Sequence, residues 1–364
     1  MEARQDGFAK PRVLMIGVHP ERTPGGIAAV YALYRRGGLS NRVSLRYRWS
    51  QLEGRLPLRL AVAVAAALRI GFDMLFWRPD VVHLMVAANG SFFRKSVYLW
   101  MARLLGRRTL FHMHASSFQE FYAGLPRWAR GYVRATLART EVIALSPSWG
   151  RFYAELRGTR RGVHVLGNPV AIPPLAADDV QASEVQLVFL GRVGERKGAW
   201  DLIGALAQLR AVPGWRAYIA GDGDLDKARA LVREHGLEER VEICGWIDRE
   251  GVERLLGKPS IVVLPSYREG LPVALLQGMA HGHPVVSTHA GGIPDLVEHG
   301  RSGYLVAPGA VAELAAALRR LIGDAPRRAR MGAYNRRRVE RAYALPLVVD
   351  DLVALYGVER EVGA

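Results

Sequence analysis

Residues 264–294 read LPSYREGLPVALLQGMAHGHPVVSTHAGGIP. An apolar run ends at Pro265, a polar loop carries Ser266, Arg268 and Glu269, and a helical pattern opens at Pro272. Proline suits a first helical position, because its φ is already helical and the N–H it lacks is not needed there. A second apolar, β-branched run follows at residues 284–288. Strand, loop, helix and strand in this order form one unit of a parallel α/β sheet. The loop then lies beyond the carboxyl end of its strand, where open sheets of this kind bind ligands.

The same alternation extends along the chain in both directions. Apolar runs occur at residues 13–18, 43–47, 81–85, 109–113, 141–145 and 163–166, and again at 186–190, 216–220, 241–244, 261–265, 284–288 and 303–306. Continuous runs of this kind suit parallel strands buried on both faces. The pattern pauses at residues 168–184, which hold Pro169, Pro173, Pro174 and an Ala/Asp-rich stretch and read as a linker. At roughly 150 residues per domain, 364 residues suggest two domains. The expected class is α/β: two doubly wound, Rossmann-like parallel-sheet domains facing a cleft, at residues 1–170 and 185–344, joined by a linker at 171–184. Residues 345–364 read as a C-terminal helix, for which packing back on the first domain is one arrangement. Residues 327–341 carry seven arginines with few acids and read as a solvated helix face.

Half of the residues are hydrophobic and 23% are charged, which excludes a disordered chain and a small disulfide-stapled scaffold. A single cysteine, Cys244, forms no internal disulfide and points to a reducing compartment. The longest stretch free of Asp, Glu, Lys and Arg, residues 270–294, is broken by three histidines and by prolines and glycines, so it is no membrane span. Residues 1–11 lack the apolar core of a signal peptide. These features lead to the expectation of a cytoplasmic protein without a transmembrane helix.

The net charge of +16 is uneven: residues 1–170 carry 26 Lys/Arg against 9 Asp/Glu, and residues 171–364 carry 24 against 25. A basic first half attracts nucleic acid, anionic lipid or a phosphorylated substrate; a high-GC genome writing Arg for Lys is the alternative, though it leaves the neutral second half unexplained. No nucleic-acid recognition module is visible, and nucleic acid is not an expected partner.

Several motifs are set aside. Gly221-Asp222-Gly223-Asp224 lacks the third glycine of a dinucleotide fingerprint, and Lys197 precedes Gly198 rather than Ser or Thr, so residues 191–198 are no Walker loop. His112 and His114 lack an identifiable third metal ligand. Asp222, Asp224 and Asp226 read as a polar turn.

Two stretches remain. In residues 264–294, Gly270 and Leu271 offer backbone N–H groups near a helix start, a natural anion site. Glu269 in the loop and Gln277 eight positions on are placed to grip two ends of an extended ligand; for Gln277 alone a satisfied polar helix residue is the equal alternative. Residues 190–198, LGRVGERKG, carry Arg192 and Lys197 off the end of a strand. A planar guanidinium fork plus a point charge suits a diphosphate; idle surface charge is the alternative.

Together, Gly191-Arg192 to Gly198 with Lys197, Gly221-Asp222-Gly223, Gly245-Trp246-Ile247, Pro265-Ser266 with Glu269-Gly270, and Gly291-Gly292-Ile293-Pro294 resemble glycosyltransferase family four, the retaining GT-B enzymes of group 1. The first half resembles the family more loosely, through Gly25-Gly26-Ile27, residues 78–83 (RPDVVH), His112 and His114, and residues 146–149 (SPSW). Residues 91–96 (SFFRKS) resemble members that build bacterial surface or exported polysaccharides.

The resemblance implies a nucleotide-diphosphate sugar as donor, a saccharide or lipid-diphosphate-saccharide as acceptor, and transfer of a hexose with retention. No cofactor and no metal are implied. Catalytic roles fall on His114, Arg192, Lys197 and Glu269. Donor contacts fall on Gly25, Gly26, Arg192, Lys197, Ile247, Glu269, Gly270, Leu271, Pro272 and Gln277: the two cations and the Gly270 and Leu271 amides at the diphosphate, backbone near Ile247 at the base, Glu269 at sugar hydroxyls, Gln277 at the ribose. The family carries a second Glu where this chain has Gln277. An amide has one acceptor oxygen where a carboxylate has two, which weakens donor binding by about 1–2 kcal/mol and leaves a degenerate, non-catalytic member as an alternative. A GT-B sugar-nucleotide epimerase is a further alternative; a phosphorylase would need a cofactor lysine that is not identifiable.

The basic first half suits an acceptor at a membrane. Residues 91–108, SFFRKSVYLWMARLLGRR, read either as an amphipathic helix for an anionic bilayer surface or as a core-facing helix. Arg94 and Lys95 are the candidate acceptor-side cations, placed for a lipid-linked pyrophosphate. Peripheral attachment to the inner face of the cytoplasmic membrane is the corresponding expectation.

Overall fold

A computed structural model describes residues 10–20, 23, 25–51, 56–174 and 184–357. Each apolar run forms a strand, and every strand pairing is parallel. The chain divides into two units, residues 1–169 with 345–364, and residues 170–344.

The first unit runs β1 (Arg12–Gly17), α1 (Gly26–Arg36), α2 (Leu39–Arg42), β2 (Ser44–Trp49), α3 (Leu56–Phe72) with a π-helical turn (Asp73–Trp77), and β3 (Val81–Val86). It continues with α4 (Gly90–Leu104), β4 (Arg108–Met113), α5 (Phe118–Ala123), α6 (Arg127–Ala138), β5 (Glu141–Ala144), α7 (Pro147–Arg157) and β6 (Val163–Val165). Strand order is β2-β1-β3-β4-β5-β6. The central strand β3 is buried at all six positions, whereas the edge strand β2 is half-exposed. Arg46 and Arg48 on that edge hold the buried Asp73 at 2.7 and 2.6 Å. Charged side chains of this kind blunt a sheet edge.

The second unit runs β7 (Val185–Leu190), α8 (Ala199–Gln208), β8 (Trp215–Ala220), α9 (Leu225–Glu234), β9 (Val241–Gly245), α10 (Arg249–Leu256) and β10 (Ser260–Leu264). Then come α11 (Val273–Ala280), β11 (Val285–Thr288), α12 (Ile293–Leu296), β12 (Gly303–Val306), α13 (Val311–Ile322) and α14 (Ala325–Ala342). Strand order is β12-β11-β10-β7-β8-β9, a doubly wound sheet with β7 and β10 fully buried at its centre.

The last helix, α15 (Leu345–Leu355), packs within the first unit against α1 and α2. Arg42 bonds Asp350 at 2.8 Å, and the Tyr356 hydroxyl lies 2.6 Å from His83 Nδ1 beneath the sheet end. The proposed linker falls largely on residues outside the described set.

The arginines of α14 are not simply a solvated face. Arg336 bonds the Ala280 carbonyl at the end of α11, Arg328 bonds the Leu321 and Ile322 carbonyls at the end of α13, and Arg338 bonds the Asp295 carbonyl. Helix ends leave carbonyls without intrahelical partners, and cations satisfy both the bond and the dipole there.

Candidate active site

In the second sheet the order in which strands are added reverses between the parallel neighbours β7 and β10. β8 and β9 extend one way from β7, while β11 and β12 extend the other way from β10. At such a switch point the loops beyond the two central strands diverge and leave a crevice for a ligand. The sheet order thereby makes neighbours of residues 191–198 and 265–272, far apart in sequence.

Their contact is unusually close. A 3-10 turn (Glu195–Lys197) lies on the first of these loops, and the Tyr267 N–H donates to the Arg196 carbonyl at 3.0 Å. Gly198 follows at φ +69°, and a Cβ there would stand 2.0 Å from the Pro265 carbonyl oxygen. Only glycine allows this approach. As a result Lys197 Nζ bonds Glu269 Oε1, and the Ser266 hydroxyl donates to the same oxygen at 2.8 Å. Ser266 is fully buried, Glu269 is 5% exposed and the Lys197 side chain 15%. From the other side Gly291, at φ +54°, sits where a Cβ would be 1.8 Å from the Glu269 carbonyl oxygen, and the Gly292 N–H donates to the Gly270 carbonyl at 3.1 Å. The Glu269 carboxylate is therefore held by an ammonium and a hydroxyl, on a backbone clamped from two directions.

Arg192 is exposed and forms no ion pair among the described residues. Its loop is rigid. The Gly191 N–H donates to Ala220, Val193 donates to Asp222 at 2.6 Å, and Asp224 donates back to Val193 at 3.0 Å. Asp224 also caps α9 and Asp248 caps α10, so the acidic stretch at 222–226 includes a turn and a helix cap. Ile247 is half-buried between Gly245 and that second cap. Gln277 is half-buried within α11, and its carbonyl accepts from His281 Nδ1 at 2.8 Å.

The start of α11 differs from the sequence expectation. Pro272 is the N-cap, with ψ 118°, and the helix begins at Val273. Its carbonyl already accepts from the Leu276 N–H at 3.3 Å. The amides of the first helical turn thus belong to Val273, Ala274 and Leu275, and Gly270 and Leu271 precede them in the loop.

In the first unit, His114 follows β4, and its N–H donates to the Val86 carbonyl at 2.7 Å. Its ring lies 4.1 Å from that of His112, whose Nδ1 is 3.2 Å from His83 Nε2. Burial pulls His83 and His114 down to about 3, so both rings are neutral near pH 7. His114 Nε2 is shielded from solvent and has no hydrogen-bond partner among the described residues. Gly25 caps α1 at φ +152°, and a Cβ on Gly25 or Gly26 would meet nothing within 4 Å among the described residues. Packing within the described structure does not require glycine at 26.

The two acceptor-side cations part company. Arg94 is held by Gln51 and, at 3.5 Å, by Ser50, both just beyond β2. Lys95 is fully buried, and its Nζ has no hydrogen-bond partner among the described residues. It cannot meet a ligand at the surface. The reason is the orientation of α4, which turns Phe92, Lys95, Tyr98, Leu99 and Ala102 into the core and ends at Leu104, before the arginines at 107 and 108. The core-facing alternative for this helix holds on that face, while Val97 and Leu104 are exposed on the rest of it. No helix among the described residues is long and apolar enough to cross a membrane.

The pairing at the switch point had no signal in local sequence, because the partners are 72 positions apart. Ser266, which orients Glu269, was legible only as a polar loop residue.

Fold and site together define a two-domain α/β enzyme of the GT-B class. Residues 184–324 match the family model described as glycosyl transferases group 1. Over 297 residues, 78% of this chain and 69% of the relative, the sequence is 30% identical to a glycogen synthase of Mycobacterium tuberculosis. Over 151 residues, 39% of this chain and 37% of the relative, it is 36% identical to the amylovoran biosynthesis glycosyltransferase AmsK of Erwinia amylovora. The fold resembles that of Anabaena HepE, solved in complex with UDP and glucose, with a TM-score of 0.74, 20% identity, and coverage of 95% of this chain and 99% of that one. The chain belongs to the group 1 glycosyltransferases.

Proposed function

We propose that this glycosyltransferase moves a hexose from a nucleotide-diphosphate sugar to a saccharide acceptor, lipid-linked, in the assembly of a bacterial polysaccharide, with retention at the anomeric carbon. The observation that carries the reading is the meeting of Lys197, Glu269 and Ser266 at the switch point, on the loops that also carry Arg192, which forms no ion pair among the described residues. The name of AmsK supports polysaccharide assembly, and the UDP and glucose bound to HepE support a UDP-sugar.

In this mechanism Arg192 and Lys197 take up the negative charge that develops on the departing diphosphate. Preorganised charge of this kind is typically the largest catalytic contribution. The backbone N–H groups of Gly270 and of Val273, Ala274 and Leu275 serve the same phosphates. Glu269, freed in part from Lys197 as the diphosphate arrives, accepts from sugar hydroxyls. The neutral ring of His114 offers Nε2 to the donor sugar as an orienting contact.

The bond between the anomeric carbon and the leaving phosphate oxygen breaks first, giving an oxocarbenium-like centre. The acceptor oxygen bonds the same face, and its proton passes to the leaving phosphate oxygen, so no protein base is needed. Two protein cations serve the leaving group, and we propose that the reaction needs no metal. Gln277 favours one rival, a donor-binding subunit without activity. Nucleoside-diphosphate release from a panel of UDP-, GDP- and ADP-sugars by the pure protein, with EDTA present, tests both readings. Release with at least one donor and an α-configured product from an α-donor is the expected result; no release with any donor rejects the transferase reading.

A further inference from the structure

We propose that the outer face of α3 and the π-helical turn after it dock on an anionic lipid bilayer. This deepens the reading above by naming the membrane-facing surface. Ala66 and Ile70 of α3 and Met74 of the turn face the core. The opposite face is also apolar: Val64, Leu68, Phe72, Leu75 and Phe76 recur at helical spacing, from 51% to 71% exposed. The Phe72 and Phe76 rings lie 4.5 Å apart, tilted by 35°. The stripe widens onto α4. Gly71 lacks the side chain that would crowd Met101, whose Cε lies 3.2 Å from an ideal Cβ, and one turn beyond it Leu104 is 86% exposed. A helix apolar on both faces implies a second covering.

Charge decides which covering. Neither α3 nor α4 contains a single Asp or Glu. The acid that follows, Asp73, is buried and consumed by Arg46 and Arg48. Exposed Arg69 borders Leu68 in sequence, and Arg103 borders Leu104. An apolar stripe flanked, among the described residues, by Arg69 and Arg103 on helices without an acid matches the boundary between acyl chains and anionic headgroups. A second copy of the chain would bring like charges together.

The test is flotation of the full chain with phosphatidylcholine vesicles, with and without 30% phosphatidylglycerol, at low salt. The wild type is expected to float with the anionic vesicles only. The double variant Leu68→Glu/Phe76→Glu, altered at exposed positions, should lose on the order of tenfold in partition, while Trp128→Glu, at a 77% exposed site on α6, should float as the wild type does. Unchanged flotation of the double variant, a wild type that stays in solution, or a wild-type dimer dissolved by the double substitution would each overturn the proposal. Donor turnover in the same preparations separates the two readings: turnover without flotation leaves the transferase and removes this surface, and flotation without turnover does the reverse.

Discussion

Replacing Lys95 with methionine should stabilise the protein near neutral pH and remove a specific part of its pH dependence. Lys95 is fully buried, and burial, with Arg94 nearby, lowers its ammonium from the usual 10.5 to about 7. In the unfolded chain the group stays protonated up to about 10.5. Between those limits the unfolded state binds a proton that the folded state does not, so wild-type stability climbs with pH. The slope is about 1.4 kcal/mol per pH unit. The burden on the folded state is then about 4 kcal/mol at pH 7, about 2 kcal/mol at pH 9, and vanishes above 10.5. Methionine has a similar volume and no charge to desolvate. Urea denaturation of wild type and Lys95→Met at pH 7, 8 and 9 measures the difference. The variant should be more stable at pH 7 by a few kcal/mol, and its advantage should shrink by about 2 kcal/mol by pH 9. A difference constant across that range, or a variant less stable at pH 7, refutes the buried, unpartnered ammonium.

Glu269→Gln should lower turnover on the order of a hundredfold through the lost charged contact, while nucleoside-diphosphate affinity holds or rises because Lys197 no longer has an anionic competitor; steady-state kinetics beside calorimetry check both halves. Gly291→Ala forces a Cβ onto the Glu269 carbonyl at a left-handed φ, and should cost about 2–4 kcal/mol and raise the donor KM; unchanged thermal unfolding and KM would contradict the clamped loop. Buried His83 and His283 are lowered to about 3 and about 4. The unfolded chain therefore takes up protons first as pH falls below about 6.5, and each ring should remove about 2 kcal/mol of stability by pH 5, read from denaturation curves between pH 7 and 5.

The strands were legible because a parallel strand buried on both faces writes an unbroken apolar run, as at residues 185–190 and 260–264. Arg192, Lys197 and Glu269 were legible as charges at loop positions after such strands. Three things were not. The Lys197–Glu269 pair depends on β10 returning to the side of β7, which is a property of sheet order rather than spacing. The inward turn of Lys95 was hidden because α4 has large apolar residues around its circumference, so periodicity did not distinguish core from surface. The arginines of α14 find backbone carbonyls, and a carbonyl leaves no mark on the residue that bears it. The start of α11 slipped by one residue because Pro272 is compatible with both the N-cap and the first helical position, and only its extended ψ separates them.

Isothermal titration of UDP, GDP and ADP into the wild type, Arg192→Ala and Lys197→Ala tests the central claim most directly. A diphosphate held by both cations predicts saturable binding by the wild type to at least one of the three, weakened about tenfold or more by each substitution and less when the matching monophosphate replaces the diphosphate. Equal affinity across all three proteins, or a monophosphate that loses as much as the diphosphate, would contradict it.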